Sequence, residues 1–351
     1  MTSRKTNIIR ILLFVGTAIS MFFVPWLLVK AWILPLPDTV QEQLDEAIGH
    51  GFDGMVVYID QGGQPPQYFA SGWHDRDAKI PAKPDALFKI ASISKLYDAV
   101  AVTKLVSAGR LSLDKTIADY LPELVGRIEN ADKITLRLMI QHRSGIPNFT
   151  DAPGFWAAPT ETFEESLALI AGMPANFEPG EDYEYCNTNY LLINKIMDEE
   201  LGYANFQFIK EEILEPLNLN NTYGSLSEVN IDDVMSGYHV GYPHDLKGND
   251  HGMHATAEDV GTFLKALNKA RLPARQGSLF TPEEQEIYAS IYEYKHAGWV
   301  PGYQSFAEYY EDPDAVVVVF YSTTDPKLYN WNLSEIINSR MVKILRRGKS
   351  S

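Results

Sequence analysis

The chain has almost no cysteine. Cys186 is the single thiol in 351 residues, so no disulfide can form within it. Stability must come from a packed core, and 45% apolar residues at this length are enough for one large domain or two. Positive charge is also scarce. Thirty Lys and Arg stand against 46 Asp and Glu, a formal charge of −16. That balance argues against a nucleic-acid partner, because phosphate contacts need basic surface. No internal repeat or low-complexity tract is visible. Tidy metal-ligand spacing is missing as well: His239, His244, His251 and His254 crowd one stretch without it. Neither a metal nor another cofactor is expected.

What the sequence does contain begins at its N-terminus. Residues 11–29 are apolar apart from Gly16, Thr17, Ser20 and Pro25. As one helix these 19 residues would span roughly 28 Å, close to the hydrocarbon thickness of a bilayer. Arg4, Lys5 and Arg10 precede the run and only Lys30 follows closely. The positive-inside rule then puts the N-terminus in the cytoplasm and the rest in the periplasm or outside the cell. A cleaved signal, giving a secreted protein, is the rival reading. Its apolar core is usually shorter, and Val29-Lys30-Ala31 is a mediocre cleavage site. Residues 1–37 are therefore read as a cytoplasmic tip, a single transmembrane helix and a short stiff linker at 34–37.

Residues 38–351 read as the working domain. Segments 54–59 and 68–73 have strand character and are separated by Gly62-Gly63-Gln64-Pro65-Pro66, which predicts a hairpin. From residue 92 to about 291 the pattern is helices and loops, with helices expected at 92–108, 135–142, 162–171, 189–200 and 257–270. Strands return at 294–298, 304–311 and 315–321. A last amphipathic helix is expected over 331–345. Strands at both ends and helices between predict an α/β (α+β) fold. Its antiparallel sheet is assembled from segments 50–91 and 292–345, with the helical region inserted.

One motif carries chemistry by its spacing. Ser92-Ile93-Ser94-Lys95 puts a hydroxyl and an amine three residues apart, on one face of a helix. A serine hydroxyl attacks a carbonyl only when a base removes its proton, and lysine is such a base only when its environment lowers its pKa. The same spacing also fits a helix that starts with serine and carries a solvated lysine. Two later elements change the balance. Tyr185-Cys186-Asn187 follows about ninety residues on, and His296-Ala297-Gly298 about two hundred. The ordered set S-x-x-K, Y-x-N, H-x-G resembles the serine β-lactamase-related hydrolases. That group takes in class C β-lactamases, D-alanyl-D-alanine peptidases and related esterases and amidases. Gly109-Arg110-Leu111-Ser112-Leu113-Asp114, His142-Arg143-Ser144-Gly145-Ile146-Pro147 and Pro301-Gly302-Tyr303 fall in the expected order around it.

The resemblance implies a β-lactamase/transpeptidase-like fold and a Ser92 acyl-enzyme. Lys95 would hold the proton network and Tyr185 would relay a proton to the leaving group. Asn187, His296, Gly298 and Trp299 would bind substrate. The N–H groups of Ser92 and Trp299 are the oxyanion donors that the family pattern implies. The blander readings are a packed aromatic for Tyr185, a turn residue for Asn187 and a satisfied core histidine for His296. The match departs from the family at Ala297 and Trp299, where a hydroxyl residue usually helps bind a substrate carboxylate. That favours ester or amide substrates without a terminal carboxylate, ahead of D-alanyl peptides or penicillins. A function of another class, a non-catalytic module that binds peptidoglycan or a partner, competes with the enzyme reading.

Overall fold

The computed structural model describes residues 2–249, 252–269 and 279–349. His251 and residue 270, the end of the helix expected at 257–270, lie outside the described residues. The chain opens with α1 (Thr2–Met21) and α2 (Trp26–Ile33), then α3 (Val40–Gly49). The hairpin follows as β1 (Gly54–Gln61) and β2 (Gln67–Asp75), with the short β3 (Ile80–Pro81). Helix α4 (Ser94–Ser107), α5 (Asn187–Leu201) and α6 (Ala257–Lys269) belong to the inserted region. The chain returns as β4 (His296–Val300), β5 (Tyr303–Tyr310) and β6 (Ala315–Tyr321), and closes with α7 (Tyr329–Lys349).

The six strands form one antiparallel sheet in the order β3-β2-β1-β6-β5-β4. The two chain ends meet at β1 and β6, paired from Met55↔Tyr321 to Gln61↔Ala315. Both central strands are buried on both faces, which is why β6 reads as an unbroken β-branched run. Val56, Tyr58, Val316, Val318 and Phe320 pack toward the inserted region. Met55, Val57, Ile59, Val317, Val319 and Tyr321 pack toward α3 and α7.

Besides its helices and loops the inserted region holds short strands: Thr222–Tyr223 and His254–Ala255 form a small sheet with Phe88–Lys89, and Tyr238–His239 pairs with Thr323–Thr324. Two-residue strands leave no periodicity to read. One expectation needs correction: the single transmembrane helix is not found. Pro25 has no N–H to donate, so the apolar run breaks between α1 and α2, which are bent by 81°. Among the described residues no single helix is long and apolar enough to cross a membrane; only the bent pair passes on length and composition.

The linker at 34–37 is pinned to the domain. The buried Arg340 of α7 donates through Nη1 to the Leu34 carbonyl at 2.8 Å and through Nη2 to the Pro35 carbonyl at 2.9 Å. Its Nε donates to Gln43 Oε1 at 2.6 Å, and Glu46 Oε2 lies 3.2 Å away. Replacing Arg340 with alanine strands these acceptors and a half-buried carboxylate, with an expected loss of about 3–5 kcal/mol of stability in chemical denaturation. A loss under about 1 kcal/mol would show that this clasp is dispensable.

Candidate active site

Ser92 sits where strand-like backbone turns into helix. Phe88–Lys89 leads to Ala91, whose φ of 49° is left-handed and strained for an alanine. A 3₁₀ turn, Ala91–Ile93, then runs into α4 at Ser94. The helix thus starts two residues later than expected, and Ser92 lies in its opening turn, where backbone N–H groups lack helical acceptors. Lys95 is buried one turn on. Its Nζ donates to Ser92 Oγ at 3.3 Å and to Asn187 Oδ1 at 3.0 Å.

Asn187 is held by its own neighbours. Its N–H donates to Asn148 Oδ1 at 3.0 Å and its Nδ2 to Thr150 Oγ1 at 3.0 Å, so its Oδ1 remains aimed at Lys95. Residues 142–146 position the strand of chain that bears Tyr185. Gly145 has φ +74° and lies so close to the Phe177 carbonyl that a Cβ would come within 2.0 Å of it. The Cys186 N–H donates to His142 Nδ1 at 3.1 Å, and its thiol donates to the Ile146 carbonyl at 3.3 Å. Burial pushes the Cys186 thiol pKa up, which suits a structural role.

Tyr185 reaches the site by its ring. Lys95 Nζ lies 5.3 Å from the Tyr185 ring centroid, and the Tyr185 hydroxyl has no protein hydrogen-bond partner among the described residues. Hydrogen bonds thus join Ser92, Lys95 and Asn187, whereas the Tyr185 phenol, expected to meet the Ser92 oxygen and the Lys95 amine, stands beside them by its ring. His296 also meets Tyr185 ring to ring, at 6.1 Å, and its Nδ1 bonds the Ala297 carbonyl. Burial, then Lys95, lowers the His296 pKa to about 4, and burial lowers that of His142 to about 3, so both are neutral at pH 7.

β4 forms the opposite wall and is the open edge of the sheet. Val300 and Tyr303 close a two-residue turn, so their pair is hydrogen-bonded and the pattern alternates from there. Gly298↔Ser305 is then bonded, and the Trp299 N–H points away from β5 toward the cleft. At Gly298 an added Cβ would lie 2.4 Å from the Ile90 carbonyl, so the edge strand packs directly on the turn that carries Ser92.

Ser92, Lys95, Tyr185, Asn187, His296 and Trp299 all line one cavity of about 1120 Å³. Three features of it were not legible beforehand. Phe149, Phe155, Trp156 and Trp299 make a continuous aromatic wall, with edge-to-face contacts of 5.2, 5.1 and 5.4 Å between successive rings. His142, quoted above only as part of a segment, backs Tyr185 with ring centroids 4.4 Å apart. Asp98, three residues beyond Lys95, lines the cavity from a buried position. The i, i+3 spacing from Lys95 was the signal available for it.

Burial raises the Asp98 pKa to about 7, partly offset by Lys95 and reinforced by Asp198. The unfolded chain releases this proton near pH 3.8, so the native state binds more protons between there and pH 7. Stability from this group is complete below pH 3.8 and is lost as pH rises through about 7, by up to roughly 4 kcal/mol. Asp98→Asn should accordingly stabilise the protein at pH 8 and leave it nearly unchanged at pH 4, measured by thermal unfolding. An equal gain at both pH values would trace the effect to packing. Among the described residues no group of three His, Cys, Asp or Glu side chains is arranged to hold a metal.

The arrangement supplies a hydroxyl hydrogen-bonded to an amine on the wall of a large cavity, with the edge strand that carries Trp299 on the opposite side. Comparison with known proteins places the fold. The D-amino acid amidase of Ochrobactrum anthropi SV3 superposes with a TM-score of 0.74 at 23% identity, over 88% of this chain and 98% of that one. A penicillin-binding protein of Bacillus halodurans superposes at 0.68 with 18% identity, over 86% and 98%. In sequence, penicillin-binding protein 4* of Bacillus subtilis is 28% identical over 209 residues, which are 56% of this chain and 44% of that protein. Protein flp of Staphylococcus aureus is 26% identical over 193 residues, 53% of this chain and 39% of that protein. The match thus spans less than half the length of these relatives. The beta-lactamase family model covers residues 36–330, from the linker through β6, and the chain belongs to that family.

Proposed function

We propose that the protein is a serine hydrolase that cleaves an ester or amide through a Ser92 acyl-enzyme. The observation that carries this reading is Lys95 Nζ at 3.3 Å from Ser92 Oγ, both facing a large cavity. Ser92 Oγ forms a bond to the substrate carbonyl carbon while its proton passes into the network held by Lys95 and Tyr185. The oxyanion is met by the Ser92 and Trp299 N–H groups. Its collapse breaks the bond to the leaving group, which takes a proton through Tyr185. Water then attacks the acyl-enzyme and returns Ser92 to its starting state. The Tyr185 hydroxyl lies on the axis of ring rotation, so a change of its χ1 rotamer is what would carry it into this path.

The site favours substrates without a carboxylate. Ala297 and Trp299 offer no hydroxyl to one. The other cations on the cavity wall are already engaged: Lys295 with Glu308 at 2.8 Å and Arg346 with Asp312 at 3.3 Å. The aromatic wall suits an apolar or aromatic acyl group. An amidase or esterase therefore leads, with D-alanyl peptidase or β-lactamase activity second; the amidase and penicillin-binding folds it resembles are compatible with either.

The proposal extends to location. The bent α1–α2 pair, with Ile9, Leu12, Leu13, Phe14, Phe22 and Phe23 exposed, would seat in the cell membrane. The catalytic domain would then lie in the periplasm or outside, by the charge asymmetry at the N-terminus.

The test is labelling of the purified protein by a fluorophosphonate and by a fluorescent penicillin, beside Ser92→Ala. Labelling by the fluorophosphonate alone supports the esterase or amidase. Labelling by both supports penicillin recognition. Folded protein silent to both overturns the hydrolase reading in favour of a binding module.

A further inference from the structure

The protein carries −16 charges, yet one face gathers uncompensated cations. A cavity of about 390 Å³ opens between α2, the linker and α7, lined by Trp32, Leu34, Leu36, Lys343 and Arg347 among others. Its charged lining is Arg340, Lys343 and Arg347 against Glu335. Arg340 is consumed by Glu46 and the linker carbonyls. Glu335 is engaged by the Trp331 indole at 3.1 Å. Lys343 and Arg347 are exposed and have no carboxylate partner among the described residues. Two unpaired cations side by side on a strongly acidic protein leave a local positive field that invites an anion.

The surroundings say which anion. Trp26, Trp32 and Ile33 of α2 are 52%, 73% and 64% exposed, while Ala31 on the other side is buried against the α7 layer. An exposed tryptophan next to lysine and arginine is the composition of a bilayer interface, with the indole at headgroup level and the cations on phosphates. An acidic protein partner would not require the exposed apolar side chains of α1, which leads into α2. We propose that Lys343 and Arg347, with Trp32, form a docking surface for anionic phospholipid headgroups. This rests on the membrane reading given above and names the lipid it selects.

The docking has a consequence for the catalytic cavity. That cavity runs from Ser92 around the edge strand to Val342 and Arg346 of α7, and it shares Glu335 and Ser339 with the basic cavity. Seating α2 and the basic end of α7 on headgroups places the far end of the Ser92 cavity beside the lipid surface.

The experiment uses the full chain, reconstituted in phosphatidylcholine vesicles that contain an equal mole fraction of either brominated phosphatidylcholine or brominated phosphatidylglycerol. Bromine quenches tryptophan on close approach, and Trp32→Phe identifies the share due to Trp32. The expected result is at least twofold stronger quenching of Trp32 by the anionic lipid at low salt. That preference should vanish in Lys343→Gln/Arg347→Gln and shrink in 0.5 M salt, where the Debye length is about 4 Å. Equal quenching by the two lipids in the wild-type chain overturns the headgroup proposal and leaves the anchor standing. A preference that survives the double substitution also overturns it. Absence of quenching by either lipid overturns the membrane reading itself.

Discussion

Replacing Ser92 with alanine is expected to lower kcat/KM on any ester or amide substrate by roughly 10⁴–10⁶-fold, with the fold intact. The Oγ atom is the only one in the site that is both hydrogen-bonded to the Lys95 amine and placed in the opening turn of α4, next to a free N–H. Its removal abolishes the covalent step and leaves only the oxyanion donors and the walls of the cavity. Stability should change little. Lys95 Nζ keeps its 3.0 Å bond to Asn187 Oδ1, and Asn187 keeps its own supports from Asn148 and Thr150. The measurement is steady-state kinetics with thermal unfolding as the control. A fall of less than tenfold in a folded variant would sink the acyl-enzyme mechanism. Lys95→Met should lose nearly as much, because the two side chains act as a unit and their effects are not additive.

Gly298→Ala is expected to cost at least 100-fold in kcat/KM and about 1–3 kcal/mol in stability. The new methyl would stand 2.3 Å from Ser305 Oγ and 2.4 Å from the Ile90 carbonyl. Those two atoms are themselves hydrogen-bonded at 2.8 Å, a link that fastens β5 to the turn before Ser92. A side chain can rotate away, but the Ile90 carbonyl is backbone, so β4 itself must move outward. The Trp299 N–H moves with it and leaves the Ser92 N–H as a lone oxyanion donor; loss of one such donor typically costs about 10²–10³ in kcat. Labelling by fluorophosphonate should slow in proportion, while Trp299→Ala, which keeps the N–H, should slow it far less. Full activity in Gly298→Ala would show that the edge strand does not set the oxyanion geometry.

Much of the fold could be read from local pattern. The β-branched run at 315–321 became β6 with the same bounds, and the helix expected at 162–171 runs over Phe163–Ala168 with Thr162 as its N-cap. These features depend on neighbours within one or two turns, and the sequence states them directly. Pro25 interrupts the apolar run, and the expected single helix is broken there into a bent pair. The short strands inside the inserted region were not legible, since each exists only because a distant segment pairs with it. Asp98 and the aromatic wall were missed for a related reason. Their residue types are ordinary, and only the cavity they face gives them meaning.

The sequence by itself determined the reactive pair, because helical periodicity brings Ser92 and Lys95 together whatever the rest of the chain does. It also determined that the two ends share a sheet, through the length and alternation of their strands. Tertiary structure alone decided which groups meet that pair. Asn187 arrives with its oxygen on the amine, Tyr185 arrives by its ring, and Gly298 lies flush against the turn that bears the nucleophile. Residues separated by about ninety and two hundred positions have no local interaction to set their distance. The pairing of β1 with β6 and the packing of the inserted region on that sheet set it instead.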